Sequence, residues 1–549
     1  MLLYQKLKDL QQGERIEELT RRLVSISSIN GTVGETELAT ELVKILRSFP
    51  VFKAHPDWVW TQKIPDDQLG RKNVFALLKK TSCRKTIIYH SHFDTVGVKD
   101  FGAIEAKAFD PAALQTYFSH YQADKEVQQD AASGDWLFGR GALDMKSGDA
   151  VNLMNLLYYS EHMDELQGNL LFMGNCVEEN DHSGVIAALS ELHRLQIEEH
   201  LNYQVAINTD FISPKYPGDP NKYIYYGAAG KMLTCCYVKG IETHVGNPYS
   251  GIDSTLLASR INLLLNNNPD LVETIPNEEV LPSTCLFLRD QKDFYNVQTA
   301  KVTRMYFNTF TYRKPAVELL AEFKTAIAAD CEKLVATLTK RQQKFFEKLE
   351  IPATAENKKV VVYTFAEYLT SLRQQQLPVE QLLTDFKRTV DITDKRAAGF
   401  QLIDFLEQQA NDNQAKIILF AAPPFCPHNS LDTDSNVYRQ LQSVLEQQPA
   451  AENFKLKEFF PYLSDSSYLA IDESAQELVS LQENFPLAAQ IYPLPFDQMR
   501  SLSIPALDIG VYGKGAHTWK ERVYKPYSFE VLPQLIRDFT TAVWKSTKE

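Results

Sequence analysis

Three apolar runs of β-type residues each end in side chains that can bind a metal or move a proton, and this recurrence limits what the chain can fold into. Thr86-Ile87-Ile88-Tyr89 leads into His92-Phe93-Asp94, Asn169-Leu170-Leu171-Phe172-Met173 into Glu178-Glu179, and the run from Tyr203 to Thr209 into Asp210. Helical stretches lie between them, at 151–159 and 184–198. Alternation of this kind is satisfied by parallel strands with helices on both faces. In such a sheet, function gathers just past the carboxyl ends of the strands. The expected fold class is therefore α/β, a mostly parallel-stranded sheet sandwiched by helices.

A fourth segment, Gly139-Arg140-Gly141-Ala142-Leu143-Asp144-Met145-Lys146-Ser147-Gly148, sits between the first two runs. Its glycines allow a tight turn and a close backbone approach. Taken alone it reads as a strand-to-helix turn with Asp144 as the N-cap. Its company argues for more. His92 and Asp94, two residues apart, suit a metal-bound imidazole steadied by a neighbouring carboxylate. Adjacent Glu178 and Glu179 point different ways, so one can hold a metal while the other faces substrate. Near the end, a strand at 504–510 runs into Gly513-Lys514-Gly515-Ala516-His517-Thr518, another imidazole in a glycine-rich turn. His90 reads as a satisfied core histidine. The polar loop Ser25 to Gly31 is of a kind that borders a site, and 98–135 is a polar, partly helical interruption.

The character of the chain changes near 224. A strand from Lys231 to Lys239, a loop carrying His244, a helix from about Ser254 to Leu265, strands near 282–289 and 299–312, a long helix near 315–347 and a strand at 359–365 follow in order. That β-α-β-β-α-β succession predicts a ferredoxin-like α+β domain inserted into the first. A helical stretch at about 376–411 and a strand at 416–420 enlarge it, and the turn-rich 423–429 reads as the return linker. The domains expected are 1–223 and 430–549 for the first, catalytic domain and 224–429 for the inserted lid and dimerisation domain.

With 549 residues the chain exceeds one ordinary core. A net charge of −13 argues against nucleic acid, which calls for a basic stripe. No apolar run approaches the roughly 18 residues of a membrane span, and the charged start, Met1 to Asp9, lacks a signal peptide's apolar stretch. Seven cysteines without a C-x-x-C pair read as reduced thiols in a cytosolic, cytoplasmic protein.

The motifs His92-Phe93-Asp94-Thr95-Val96, Gly139-Arg140-Gly141 with Asp144-Met145-Lys146, Glu178-Glu179, Asp210, and Gly515-Ala516-His517-Thr518 with Glu521 resemble the di-zinc metallopeptidase clan of aminoacylase, acetylornithine deacetylase, succinyl-diaminopimelate desuccinylase and carboxypeptidase G. The match spans nearly the whole chain. Its length and the His244-Val245-Gly246-Asn247-Pro248 form are most similar to the long, RocB-like branch associated with arginine utilisation. The resemblance implies that Asp144 bridges two metals. It implies that His92 and Asp210 complete one shell, that Glu179 and His517 complete the other, that Glu178 is the general base, and that Asp94 orients from behind. Nitrogen and oxygen donors without thiolate suit zinc, with cobalt or manganese as alternatives. His244 would be the positive partner of the oxyanion, supplied in trans by a homodimer formed through the inserted domain, with a monomer supplying it in cis as the alternative.

The family's substrate-gripping arginine has no clear counterpart at Tyr306-Phe307-Asn308-Thr309-Phe310-Thr311-Tyr312, which leaves Arg304, Arg313 and Asn308 as candidates. The expected function is hydrolysis of an amide or peptide bond in a small amino-acid-derived substrate, an N-acyl amino acid or short peptide, in amino-acid catabolism. Two competing readings are a non-catalytic relative that binds such a metabolite or a protein partner, and a two-metal phosphoesterase. The full ligand set disfavours the former and the ligand order the latter.

Overall fold

The computed structural model describes residues 3–80, 83–350, 352, 358–390, 393–449, 452–462 and 464–546. Met1 and Leu2 of the charged start and residues 391–392 of the expected 376–411 helical stretch lie outside the described residues. The chain divides into two compact units, one of Met1–Ala228, Asn429–Ile471 and Pro495–Glu549, the other of Ala229–His428 and Asp472–Leu494. Among the described residues no helix is long and apolar enough to cross a membrane.

The first unit is built on an eight-stranded sheet. Its spatial order is Val59–Lys63, Lys72–Leu78, Asn169–Asn175, Lys85–His92, Asn202–Asn208, Ala506–Asp508, Lys222–Tyr225 and Phe454–Lys457. The sheet is mixed. Its centre, Asn169–Asn175 through Lys85–His92 and Asn202–Asn208 to Ala506–Asp508, is parallel, while Lys72–Leu78 and Val59–Lys63 join antiparallel at one edge. Asn169–Asn175 is buried along its whole length and Lys85–His92 from Thr86 onwards, as strands covered on both faces must be.

The two faces separate by the strand period of two. Val74, Ala76 and Leu78 enter a core shared with Leu42, Leu153 and Ile536 from the helices Gly34–Ser48, Lys146–Glu161 and Leu532–Ser546. Asn73, on the alternate face, donates to the Gly184 carbonyl at the start of the helix Ser183–Glu198. Helices therefore cover both faces, and the α/β expectation holds.

The residues 222–225, assigned on sequence partly to the inserted domain, form a strand of this large sheet, paired in parallel with Phe454–Lys457. A second, three-stranded sheet was not anticipated. Trp136–Phe138 pairs with Arg522–Tyr524, which pairs in turn with Gly513–Lys514.

The second unit holds a five-stranded sheet in the order Thr284–Asp290, Val302–Thr311, Gly230–Lys239, Ala415–Cys426, Val360–Thr364. A plain β-α-β-β-α-β sandwich would put the strand Val360–Thr364 beside Gly230–Lys239. Here Ala415–Cys426 inserts between them, antiparallel to Gly230–Lys239 and parallel to Val360–Thr364. The chain returns to the first unit between His428 and Asn429, inside the expected linker at 423–429, but the first part of that linker is strand. The strand continues to Cys426 and absorbs Pro423 and Pro424 in a register shift between Ala422 and Phe425. Residues 472–494 also join this unit, where Asn484 accepts from Ala421 N–H and Ala366 N–H.

Candidate metal centre

The strand ends deliver the predicted acids and imidazoles to one place in the first unit. His92 closes Lys85–His92, Glu178 and Glu179 follow Asn169–Asn175, and Asp210 follows Asn202–Asn208. Asp144 reaches the same place from the turn after Trp136–Phe138. Gly141 takes a left-handed φ of 78° in that turn, and Gly148 lets the following helix press on the next strand end, since a Cβ there would lie 2.4 Å from the Thr209 carbonyl oxygen. Asp144 is not the N-cap. Met145 holds that position, and no side chain caps the helix.

Two donor triads share Asp144. His92, Asp144 and Asp210 form one, and Asp144, Glu179 and His517 the other, the ligand atoms of each lying within 4.8 Å of one another. Asp144 Oδ1 is 3.2 Å from His92 Nε2, while its Oδ2 is 3.0 Å from His517 Nε2. His517 Nε2 is also 3.0 Å from Glu179 Oε1, and Asp210 Oδ2 is 4.0 Å from His92 Nε2. Among the described residues, neither buried ring nitrogen of His92 has a hydrogen-bond partner.

Burial alone would raise Asp144, yet His517 and His92 hold its carboxyl well below the ordinary range. Burial, with Asp144 beside it, pushes Asp210 up to about 8. Burial pulls His517 down, but Asp144 and Glu179 outweigh it and hold the imidazole up at about 11. Carboxylates this crowded and this buried call for positive charge, and nitrogen–oxygen triads fit divalent cations. The residues present fit a two-cation centre.

Asp94 sits beneath the glutamates, fully buried. It accepts from Glu178 N–H at 3.0 Å and Glu179 N–H at 3.1 Å, and from Asn30 Nδ2 at 2.9 Å, which brings the polar 25–31 loop to the site's edge. Glu521 accepts from Leu143 N–H and Asp144 N–H and is paired with the buried Arg140 at 2.7 Å.

A third group was missed. His182 Nδ1 lies 2.8 Å from Asp465 Oδ1 and 3.9 Å from Glu178 Oε1, so a hydrogen-bonded dyad backs that glutamate. Asn175 donates to Asp465 and also contacts His90, which is a buried, bonded core imidazole as expected. The sequence holds His182 next to the paired glutamates, but nothing local links it to a residue 283 positions away.

The remaining candidates lie in the second unit. His244 is exposed, its Nδ1 accepting from Gly246 N–H. Arg304 and Asn308 share the half-exposed face of the strand Val302–Thr311, and Arg304 is already ion-paired with Asp404 on the helix Lys395–Ala410. Arg313 is exposed after that strand.

Protein RocB of Bacillus subtilis (strain 168) is 44% identical over 550 residues, covering 99% of this chain and 97% of the relative. The chain belongs to the RocB family. A further relative of this RocB-family chain, the uncharacterized protein YqjN of the same organism, is 33% identical over 546 residues and 98% of each chain. No family model matches the sequence. The RocB-family fold is shared with a tripeptidase from Staphylococcus aureus, at a TM-score of 0.50, 14% identity and coverage of 97% of this chain and 99% of that one. It is shared equally with aminopeptidase PepT from Bacillus cereus, at 0.51, 12%, 97% and 98%.

Proposed function

We propose that the chain is a two-metal hydrolase that cleaves an amide or peptide bond in a small amino-acid-derived substrate. One observation carries the reading: the two oxygens of Asp144 face two different imidazoles, at 3.2 Å and 3.0 Å, each within its own triad. His92 and Asp210 would hold one cation, Glu179 and His517 the other, and Asp144 both. Zinc is the default for such mixed donors. When bound, the pair supplies an activated water and a polarised scissile carbonyl.

The chain's own groups supply the rest. Glu178 takes a proton from the attacking water and delivers it to the leaving amine as the C–N bond breaks. Asp94 acts through others, fixing the backbone of Glu178 and Glu179. His244 is assigned on the resemblance as the donor to the developing oxyanion, with a homodimer formed through the second unit. Arg304, Arg313 and Asn308 are the candidates for gripping a substrate carboxylate, and Arg304 would have to exchange Asp404 for it. The fold relatives are a tripeptidase and an aminopeptidase, which favours a short peptide or an N-acyl amino acid.

The test is a panel of dipeptides and N-acyl amino acids, with phosphoesters alongside, assayed on metal-stripped protein reloaded with zinc, cobalt or manganese. Metal-dependent amide cleavage is expected. Phosphoester cleavage alone, or no amide turnover with any metal, would contradict the proposal.

A further inference from the structure

The 98–135 insert has no part in the reading above, yet it grips the two segments that bring Asp144 and His517 together. It folds as a short 3-10 stretch, Lys99–Lys107, and two helices, Pro111–Ser119 and Lys125–Ser133. Its own core of Phe101, Leu114, Phe118 and Val127 takes in Trp136 and Phe138, the strand that leads to the Asp144 turn. The Ala108 carbonyl accepts from Arg140 N–H at 2.8 Å, and Asp100 accepts from the Arg140 guanidinium at 2.9 Å.

The hold on the His517 hairpin is separate. Trp519 packs on Phe118 at 5.4 Å and edge-on to Tyr121 at 5.3 Å. Arg522 reaches Asp130 at 2.7 Å, Lys520 reaches Asp124 at 2.7 Å, and Lys514 reaches Glu126 at 2.6 Å. Three cations of one hairpin thus meet three acids of one helix and its N-cap. The Arg522–Asp130 pair is the most sheltered, with side chains 4% and 15% exposed. Exposed pairs are worth at most about 1 kcal/mol each, so the sheltered pair and the ring packing dominate.

His517 needs such a hold. Its backbone is left-handed, at φ 60°, and its side chain is 51% exposed, against 3% for His92 at the end of a central strand.

We infer that the 98–135 insert is a brace that builds the Asp144–Glu179–His517 cation site, leaving the His92–Asp144–Asp210 site to the central sheet. Asp130, Asp124 and Trp519 are positioning residues that act through the His517 hairpin. The inference rests on the metal-centre reading proposed above.

The experiment is a titration of chelator-stripped full-length chain with zinc alone, resolving two binding steps. Asp130→Ala with Trp519→Ala should weaken the second step by at least about tenfold, as outer-shell losses do, and leave the first unchanged. The unchanged first step reports that the sheet is intact. Should the double variant not fold, isosteric Asp130→Asn is read the same way, with a smaller shift in the same step alone. Lys520→Asp should also weaken the second step, and adding Asp124→Lys should restore it. Wild-type binding in these variants, or equal weakening of both steps, overturns the brace. His517→Ala separates the two readings. If it loses the second zinc while the brace variants keep it, only the brace falls. If it keeps both, the metal-centre reading falls and takes the brace with it.

Discussion

Asp144 and His517 are 373 residues apart in sequence (517 − 144), yet Asp144 Oδ2 lies 3.0 Å from His517 Nε2 because their supporting strands share one small sheet. Trp136–Phe138 precedes Asp144 and pairs with Arg522–Tyr524, which follows His517. The pairing holds His517 against Asp144.

Glu178 Oε2 is 3.9 Å from His92 Nε2, and its backbone is fixed by Asp94. Glu178→Gln should keep the fold and both metals. Turnover should drop by roughly 10²–10⁴-fold, the usual cost of a lost general base. Steady-state kinetics on a cleaved amide checks this, and undiminished kcat would remove Glu178 from the mechanism.

Arg140 is buried and paired with buried Glu521, which also receives the Leu143 and Asp144 N–H groups. Arg140→Met leaves that carboxylate without its cation inside the fold. Breaking such a pair costs about 3–5 kcal/mol. Chemical denaturation should show a loss of that order, and a change under about 1 kcal/mol would mean that Glu521 is satisfied without Arg140.

Burial pushes the Asp149 carboxyl up to about 7 from its ordinary 3.8. Between those pH values the folded chain holds a proton that the unfolded chain has released. Stability is then fully present below the unfolded value and falls as pH rises towards the folded one. The metal-free protein should therefore lose stability from Asp149 between about pH 4 and 7, and Asp149→Asn should flatten that decline. Melting curves of both proteins across this window decide it; parallel curves would place the Asp149 pKa at its ordinary value.

Gly148→Ala introduces a methyl 2.4 Å from the Thr209 carbonyl oxygen, a backbone atom that cannot swing aside. The helix Lys146–Glu161 must then move away from the strand end that carries Asp210. Metal affinity and thermal stability should both decline. A variant with unchanged metal binding would show that the helix end can shift without disturbing Asp210.

Much of this centre was legible in the sequence for a physical reason. His92, Glu178, Glu179 and Asp210 stand at the ends of strands whose apolar runs mark them, and strand ends of a parallel sheet converge. What was not legible depended on long-range pairing. The Trp136–Phe138 run reads as an approach to a turn, because three residues carry too little periodicity to announce a partner near 522. His182 and Asp465 form a dyad only after the chain has passed through Ala229–His428 of the second unit. Pro423-Pro424 read as a linker because proline usually ends a strand, and here a register shift accommodates both. In the second unit, the β-α-β-β-α-β order was visible, but not that Ala415–Cys426 would enter between two of its strands.

Whether one carboxylate serves two cations is measured directly by metal stoichiometry, from elemental analysis after exhaustive dialysis. The wild-type chain should retain two divalent ions per molecule, and Asp144→Ala should lose at least one of them while staying folded. Two tightly held ions in Asp144→Ala would contradict the shared-carboxylate centre.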